Sequence, residues 1–518
     1  MKHLYLLCLL LLAAPAARAQ DYYNVLKYGA RNDSTRLSTA AIAKAIDAAS
    51  RAGGGTVYFP AGKYLTGPIQ LKSNITIEIG VGAVLYFSTN FDDYLPLVPS
   101  RYEGIDIQGF SPLFYAYRAK NITIRGRGTI DGQGKKWWDF AEGESRKRAD
   151  SKWQLEFRRQ NADVLTALQP NVPGVMERGF LRPPFIQPMY CQNVRVEGIT
   201  IHNSPFWTIN PEFCENVTVE GVTIANPRSP NTDGINPESC RYVHIANCHI
   251  SVGDDCITIK SGKDKMGRTM AAPAENYTIT NCTMLAGHGG VVIGSEMSGG
   301  VKKIVISNCV FDGTDRGIRI KTARGRGGVV EDIQVDNIVM KNIREQMLVL
   351  DMQYDKTTPE PVSERTPRFR NIHFSNITAE GNQAGLLNGL SEMPIENVTF
   401  SNLNLDAKQG FTVREARNIA FHNVQINPAA GPAVRTENVR QLWLDGIRGA
   451  VAAGTPLLEL TNTEDAFVYN CFPAAGAETF LKLKGAQTRN VVLQNNNLKS
   501  MKLPVSRDAD VAEPVVGP

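Results

Sequence analysis

The chain has 518 residues, a formal charge of +5, 21% charged and 42% hydrophobic residues, and a mean hydropathy of -0.21. That balance excludes a disordered or low-complexity chain, and the longest apolar run, residues 4–14, is too short to span a bilayer. So small a charge excess, without a long basic tract, also argues against nucleic acid as a partner. Length alone suggests two to four domains.

The N-terminus reads as an export signal. Lys2 and His3 precede the apolar run, and Ala17-Arg18-Ala19 forms a small-x-small cleavage site. Cleavage after Ala19 removes residues 1–19 and, with Lys2 and Arg18, two positive charges. Cys8 lacks the small residues that a lipid-modified cysteine needs before it. The expectation is an exported protein, periplasmic or extracellular, without stable membrane insertion and monomeric.

Residues 39–50, TAAIAKAIDAAS, have the apolar spacing of one amphipathic helix, suited to cap an open sheet end. Short β-prone alternations follow at 52–64, 73–87 and 119–140. Residues 141–181 are charged, helix-prone and out of step, which reads as a lateral insertion.

From Cys191 one pattern recurs: CQNVRVEGITI, then CENVTVEGVTI from Cys214, CRYVHIANCHI from Cys240 and NYTITNCTM from Asn276. KKIVISNCVF, EDIQVDNIVM, RNIHFSNITA, ENVTFSNLNL and RNIAFHNVQI continue the series. Each is a β-prone alternation, a turn residue, then a second alternation. Most steps fall in the twenties, one coil of a parallel β-helix. Leucine-rich repeats, the competing solenoid, fail for want of an LxxLxL series. Asn247, Asn281, Asn308, Asn337, Asn376, Asn402 and Asn423 share one position and predict an internal asparagine ladder at a tight corner. Cys248, Cys282 and Cys309 each follow such an Asn and predict a stack in the core. No cysteine spacing matches a metal motif, and a large domain needs no disulfide staples.

The expected fold is therefore all-β: a right-handed, single-stranded parallel β-helix with an N-terminal capping helix, filling residues 20–503. A Pro-rich loop lies between Asp355 and Arg368, and residues 504–518 form a loose polar tail.

Polar residues interrupt the repeat in four places within one stretch. These are SPNTDGINP with Asn231 and Asp233, SVGDDCITIKSG with Asp254 and Asp255, AGHGG with His288, and RGIRIKTARG with Arg319 and Lys321. Asp233 and Asp254 are one short coil apart, so the carboxylates can stack on neighbouring turns. Arg319 and Lys321, two apart, share one side of a strand. Three crowded carboxylates cannot all ionise freely, so at least one pKa should be raised. Glycosidic hydrolysis needs such a division between a protonated acid and a base. Arg182, Lys260, Lys263, Lys265 and Arg268 add positive charge that suits an acidic sugar. Calcium held by the three aspartates is the rival use of the same cluster.

With NTD, DD, GHG and RIK in this order, the chain resembles glycoside hydrolase family 28, the polygalacturonase family. The resemblance extends to YGARND, GGGTVYFPAGKY and GTIDGQG. It implies a right-handed β-helix that cleaves galacturonate-containing pectic chains with inversion and without a cofactor or metal. It further implies Asp254 as general acid, and Asp233 and Asp255 as the pair that orients and deprotonates water. His288 would tune the acid or position substrate, and Arg319 and Lys321 would bind the galacturonate carboxylate. Tyr354 is a substrate contact on the same basis, and Asn231 holds Asp233 or a sugar hydroxyl. Arg182 and Lys260 complete the expected binding set. Segments 132–138, 141–181 and 261–268 resemble the exo-acting branch and are expected to close one end of the groove. A hydrolase of rhamnogalacturonan, a Ca²⁺-dependent pectate lyase and a non-catalytic acidic-glycan binder are the alternatives.

Overall fold

Alternating β-branched residues favour extended backbone and leave every second side chain to be buried. A solenoid satisfies this coil by coil, because each strand pairs with the same strand one turn on. The computed structural model describes residues 22–142, 150–168, 179–227, 229–355, 357–473, 477–499 and 501–511. The expected export signal lies outside them.

Three parallel ladders run along the molecule. One aligns Val194, Val217, Val243, Tyr277, Ile304, Ile333, Ile372 and Val398. A second aligns Ile201, Ile224, Ile250, Met284, Phe311, Met340, Ala379 and Leu405. The third, which carries the polar motifs, aligns Phe114, Ile186, Ile209, Ile235, Ile257, Val291, Ile318 and Leu348. All of these residues are buried, so the core is one column of stacked aliphatic and aromatic side chains. Phe374, Phe400 and Phe421 stack in it with ring centroids 5.1 and 4.7 Å apart. The right-handed parallel β-helix is thus the fold, the hand being that of parallel crossovers in general.

The Asn series departs from expectation in one respect. Every member has left-handed backbone, φ between 52° and 59°, but the side chains are exposed, so the ladder is external. The reason is local: in Val335-Asp336-Asn337-Ile338 the buried residues are Val335 and Ile338, and the corner residue between them turns outward. Along the surface Asn402 donates to Asn376 at 3.3 Å, and Asn423 to Asn402 at 2.9 Å. A parallel ladder links Asn121 to Asn74 and Asn193 to Asn121 at 2.7 and 2.8 Å.

Among the described residues, eight cysteines are buried and unpaired. Cys282 contacts both Cys248 and Cys309 in the predicted stack. A second stack, Cys191, Cys214 and Cys240, is tied by backbone N–H donation to sulfur at 3.4 and 3.3 Å.

The capping helix spans Thr39–Arg51 and buries Ala41, Ile42, Ala45, Ile46 and Ala49 against the first coil. At the other end the loose tail expected after residue 503 begins as a strand. Leu503–Arg507 pairs in parallel with Thr479–Lys484, because the last coil still offers an unpaired edge. No helix among the described residues is long and apolar enough to cross a membrane.

The one antiparallel pair of strands among the described residues, Val98–Tyr102 with Ile105–Gly109, is a hairpin laid on the third sheet. Helices Lys152–Gln160 and Ala162–Leu168, the described part of the predicted insertion, stand behind it.

Candidate active site

The third sheet places the polar motifs. Asp233 and Asp255 each precede a buried Ile by two residues, and Ile235 bridges Ile257 on the next coil, so the two carboxylates share a column. Asp254 lies one residue before Asp255, which donates its N–H to Asp254 Oδ1 at 2.9 Å. One oxygen from each of the three aspartates falls within 4.8 Å of the others. His288 arrives on the following coil, its N–H bonded to Asp254 O at 2.9 Å, and its Nδ1 lies 3.2 Å from Asp254 Oδ1. The flanking glycines leave no room for a side chain: a Cβ on Gly287 would sit 2.5 Å from Asp254 O, and one on Gly289 would sit 2.4 Å from Val292 Cγ2.

Arg319 and Lys321 project from strand Ile318–Lys321, two coils beyond Asp255. Lys321 Nζ bonds Asp255 Oδ2 at 3.0 Å. Arg319 is 9% exposed, and its Nε has no hydrogen-bond partner. Tyr354 reaches back across the loop, its exposed ring 5.4 Å from both the Arg319 guanidinium and Lys321 Nζ. These contacts link Asp233, Asp254, Asp255, His288, Lys321, Arg319 and Tyr354 in one cluster.

Burial, and then the neighbouring Asp254, push the Asp233 carboxyl well above the usual carboxylate range, although Lys260 and Lys321 oppose this. Burial would raise Asp254 as well, but its His288 hydrogen bond, with the charges of His288, Lys321 and Lys260, outweighs burial and holds it low. His288 is raised, chiefly by that bond, despite partial burial. The raised carboxyl of the free site is therefore Asp233, while Asp254 pairs with a protonation-prone imidazole.

Two expected binding residues have structural partners. Arg182, 3% exposed, donates to Asn231 Oδ1 at 2.9 Å, Pro230 O at 2.8 Å and Tyr102 OH at 3.2 Å, and lies over Phe206. It holds the turn of the NTD motif. Asn231 spends its carbonyl on Arg182, and Asp233 is held instead by Thr258, whose Oγ1 donates at 3.1 Å. Lys260 is 5% exposed, bonds Glu296 at 2.8 Å and lies 4.6 Å from the centre of the Trp207 ring.

Sequence reasoning missed Thr258, Glu296 and Arg316. Thr258 and Glu296 read as ordinary strand and loop residues, and only tertiary contact gives them a place. Arg316 stands beside RIK in RGIRIK; burial, and then Arg319, lower its pKa.

A parallel β-helix bearing clustered carboxylates beside paired cations is a carbohydrate-active scaffold. Residues 176–431 match the sequence model of Glycosyl hydrolases family 28. Residues 22–160 match that of Rhamnogalacturonase A/epimerase, pectate lyase-like. A probable polygalacturonase of Vitis vinifera is 30% identical over 393 residues, 74% of each chain. An endo-polygalacturonase of Pectobacterium carotovorum is 29% identical, over 68% of this chain and 79% of its own. Among solved structures, the exopolygalacturonase of Thermotoga maritima superposes with a TM-score of 0.71 at 33% identity, over 79% of this chain and 92% of that one. The chain belongs to glycoside hydrolase family 28, the polygalacturonase family, and is a glycoside hydrolase.

Proposed function

We propose that this enzyme hydrolyses α-1,4-galacturonosyl bonds in pectic polysaccharide or oligogalacturonides from a chain end, outside the cytoplasm. The observation that carries the reading is the set of two cations, Arg319 and Lys321, facing three clustered carboxylates. An acidic sugar needs the first and glycosidic cleavage the second. Arg319, with an unspent Nε and a Tyr354 platform, is built to take a carboxylate in its planar fork.

Asp254 protonates the leaving glycosidic oxygen as the bond to C1 breaks. Water held between Asp233 and Asp255 attacks C1 and gives its proton to Asp255, which Lys321 orients. In the free site Asp254 is held in its charged form by His288, so the proton for the leaving group comes through the His288–Asp254 bond as substrate enters. Asp233, with its raised pKa, orients the water. The aspartate oxygens lie closer together than the roughly 6.5–9.5 Å usual between the carboxyl groups of inverting enzymes. Inversion is therefore a direct test: proton NMR of the first product should show the anomer opposite to the substrate linkage, and retention would sink the single-displacement scheme.

Exo action is supported by hairpin 98–109, which lies on the third sheet over the coil that bears Asp233 and the coil before it. The loop after Lys260 meets it, Lys263 lying 3.4 Å from Glu103. Incubation with polygalacturonate, followed by chromatography, should release one sugar or a dimer at a time. An endo-type ladder would overturn the exo reading. Activity in excess EDTA and products without ultraviolet absorbance would separate hydrolysis from Ca²⁺-dependent elimination. Galacturonate linkages of rhamnogalacturonan are the second reading, favoured by the match over residues 22–160; rhamnogalacturonan fragments in the same assay decide between them.

A further inference from the structure

The hairpin is fastened to the third sheet by charge. Arg101 has a side chain with no exposure, as do Glu212 and Glu238 beneath it. Its Nε donates to Glu238 Oε1 at 2.8 Å and lies 3.6 Å from Glu212 Oε2. Its guanidinium lies 4.9 Å from the centre of the Phe213 ring, and Nη1 bonds Asp106 on the facing hairpin strand.

Glu212 and Glu238 belong to one row of that sheet, and the next member is Lys260, bridged to Glu238. Lys260 is one of the two lysines whose charge opposes the rise of Asp233. The latch therefore sits on the coil that bears Asp233 and on the coil before it.

Further contacts press the hairpin down. Ser100 Oγ donates to Gln187 at 2.8 Å. At the tip, Gly104 has φ +78°, and a Cβ there would lie 2.7 Å from Lys263 N. From behind, Asn161 takes both backbone groups of Gln108, at 2.7 and 2.9 Å. Of the segments expected to close the groove, 261–268 meets the hairpin tip, and helix Lys152–Gln160 of 141–181 packs against strand Ile105–Gly109.

A buried ion pair is weak evidence for stability, since apolar residues of similar size often dock as well. Removing one partner is different, because it strands a charge. Among the described residues Arg101 is also the only cation paired with Glu212 or Glu238. We propose that Arg101 is a positioning residue that latches hairpin 98–109 across the groove and thereby fixes cleavage at a chain end. The proposal rests on the exo reading above.

The test compares products from polygalacturonate for the wild type, Arg101→Ala and Gly104→Val. The glycine variant pushes the tip off Lys263 without stranding a buried charge. Each variant is first checked for fold by circular dichroism and melting temperature. Both should shift products from a single small sugar to a spread of longer oligomers, with viscosity falling several-fold faster per reducing end formed. Loss of activity through general damage would not lengthen the products. A third variant, Arg101→Met/Glu212→Met/Glu238→Leu, should keep the hairpin docked and the wild-type pattern.

If Arg101→Ala fails to fold, Gly104→Val carries the test alone. A folded variant that still releases only the small product overturns the latch while leaving exo action standing. A product ladder from the wild type itself overturns the exo reading, and the latch with it.

Discussion

At the residue scale, the site divides labour by environment among chemically identical groups. Asp233 is raised by burial and by Asp254, whereas Asp254 is held low by His288 despite burial. Replacing Asp254 by Asn should lower turnover about 10²- to 10⁴-fold, the usual range for a general acid, while substrate binding persists. Isothermal titration with an oligogalacturonide checks the binding and reducing-end assays the turnover. His288 provides the pH test. Its pKa is raised above the ordinary value of 6.5, so it keeps its proton past that pH. Activity that depends on this proton should therefore decline only at a pH above 6.5, and His288→Gln should lower kcat and remove that alkaline limb. Arg319→Gln should act mainly on KM, because Arg319 has no ion-pair partner among the described residues. Lys321→Gln should lower kcat as well, because Lys321 also holds Asp255. Steady-state kinetics on a defined oligogalacturonide separates the two.

At the scale of elements, each coil depends on corners that only some residues tolerate. Asn402 has φ +56° and both donates and accepts in the external ladder. Asn402→Ala should destabilise the protein by about 1–2 kcal/mol, since an L-residue without a local hydrogen bond pays roughly that for left-handed backbone. Asn402→Gly should lose less, as glycine carries no such penalty. Urea unfolding of both variants reads the difference. That these positions are corners is legible in the sequence because Asn recurs at one place in each repeat. Their outward direction was not legible: it depends on which neighbours the coil buries. The cysteines divide in the same way. The Cys248–Cys282–Cys309 column follows the Asn positions, and Cys191, Cys214 and Cys240 each open one repeat; what the fold adds is the backbone N–H donation that ties the second column together.

At the scale of the whole molecule, a solenoid lets local pattern dictate global form, because each coil contacts chiefly its neighbours. Its ends are the exception. Deleting residues 22–51 would bare the strand edge that helix Thr39–Arg51 covers, and light scattering should show concentration-dependent aggregation of the truncated protein. The β-helix, its cap and the order of the polar motifs are legible in the sequence, since all three are written as short-range periodicity and spacing. That Asp233 is the raised carboxyl, that Arg182 serves the Asn231 turn and that hairpin 98–109 lies over Glu212 and Glu238 emerge from the folded chain alone. Those outcomes depend on burial and on contacts between residues far apart in the chain, such as Arg101 and Glu238. No local pattern encodes the distance between such partners or the loss of water around them.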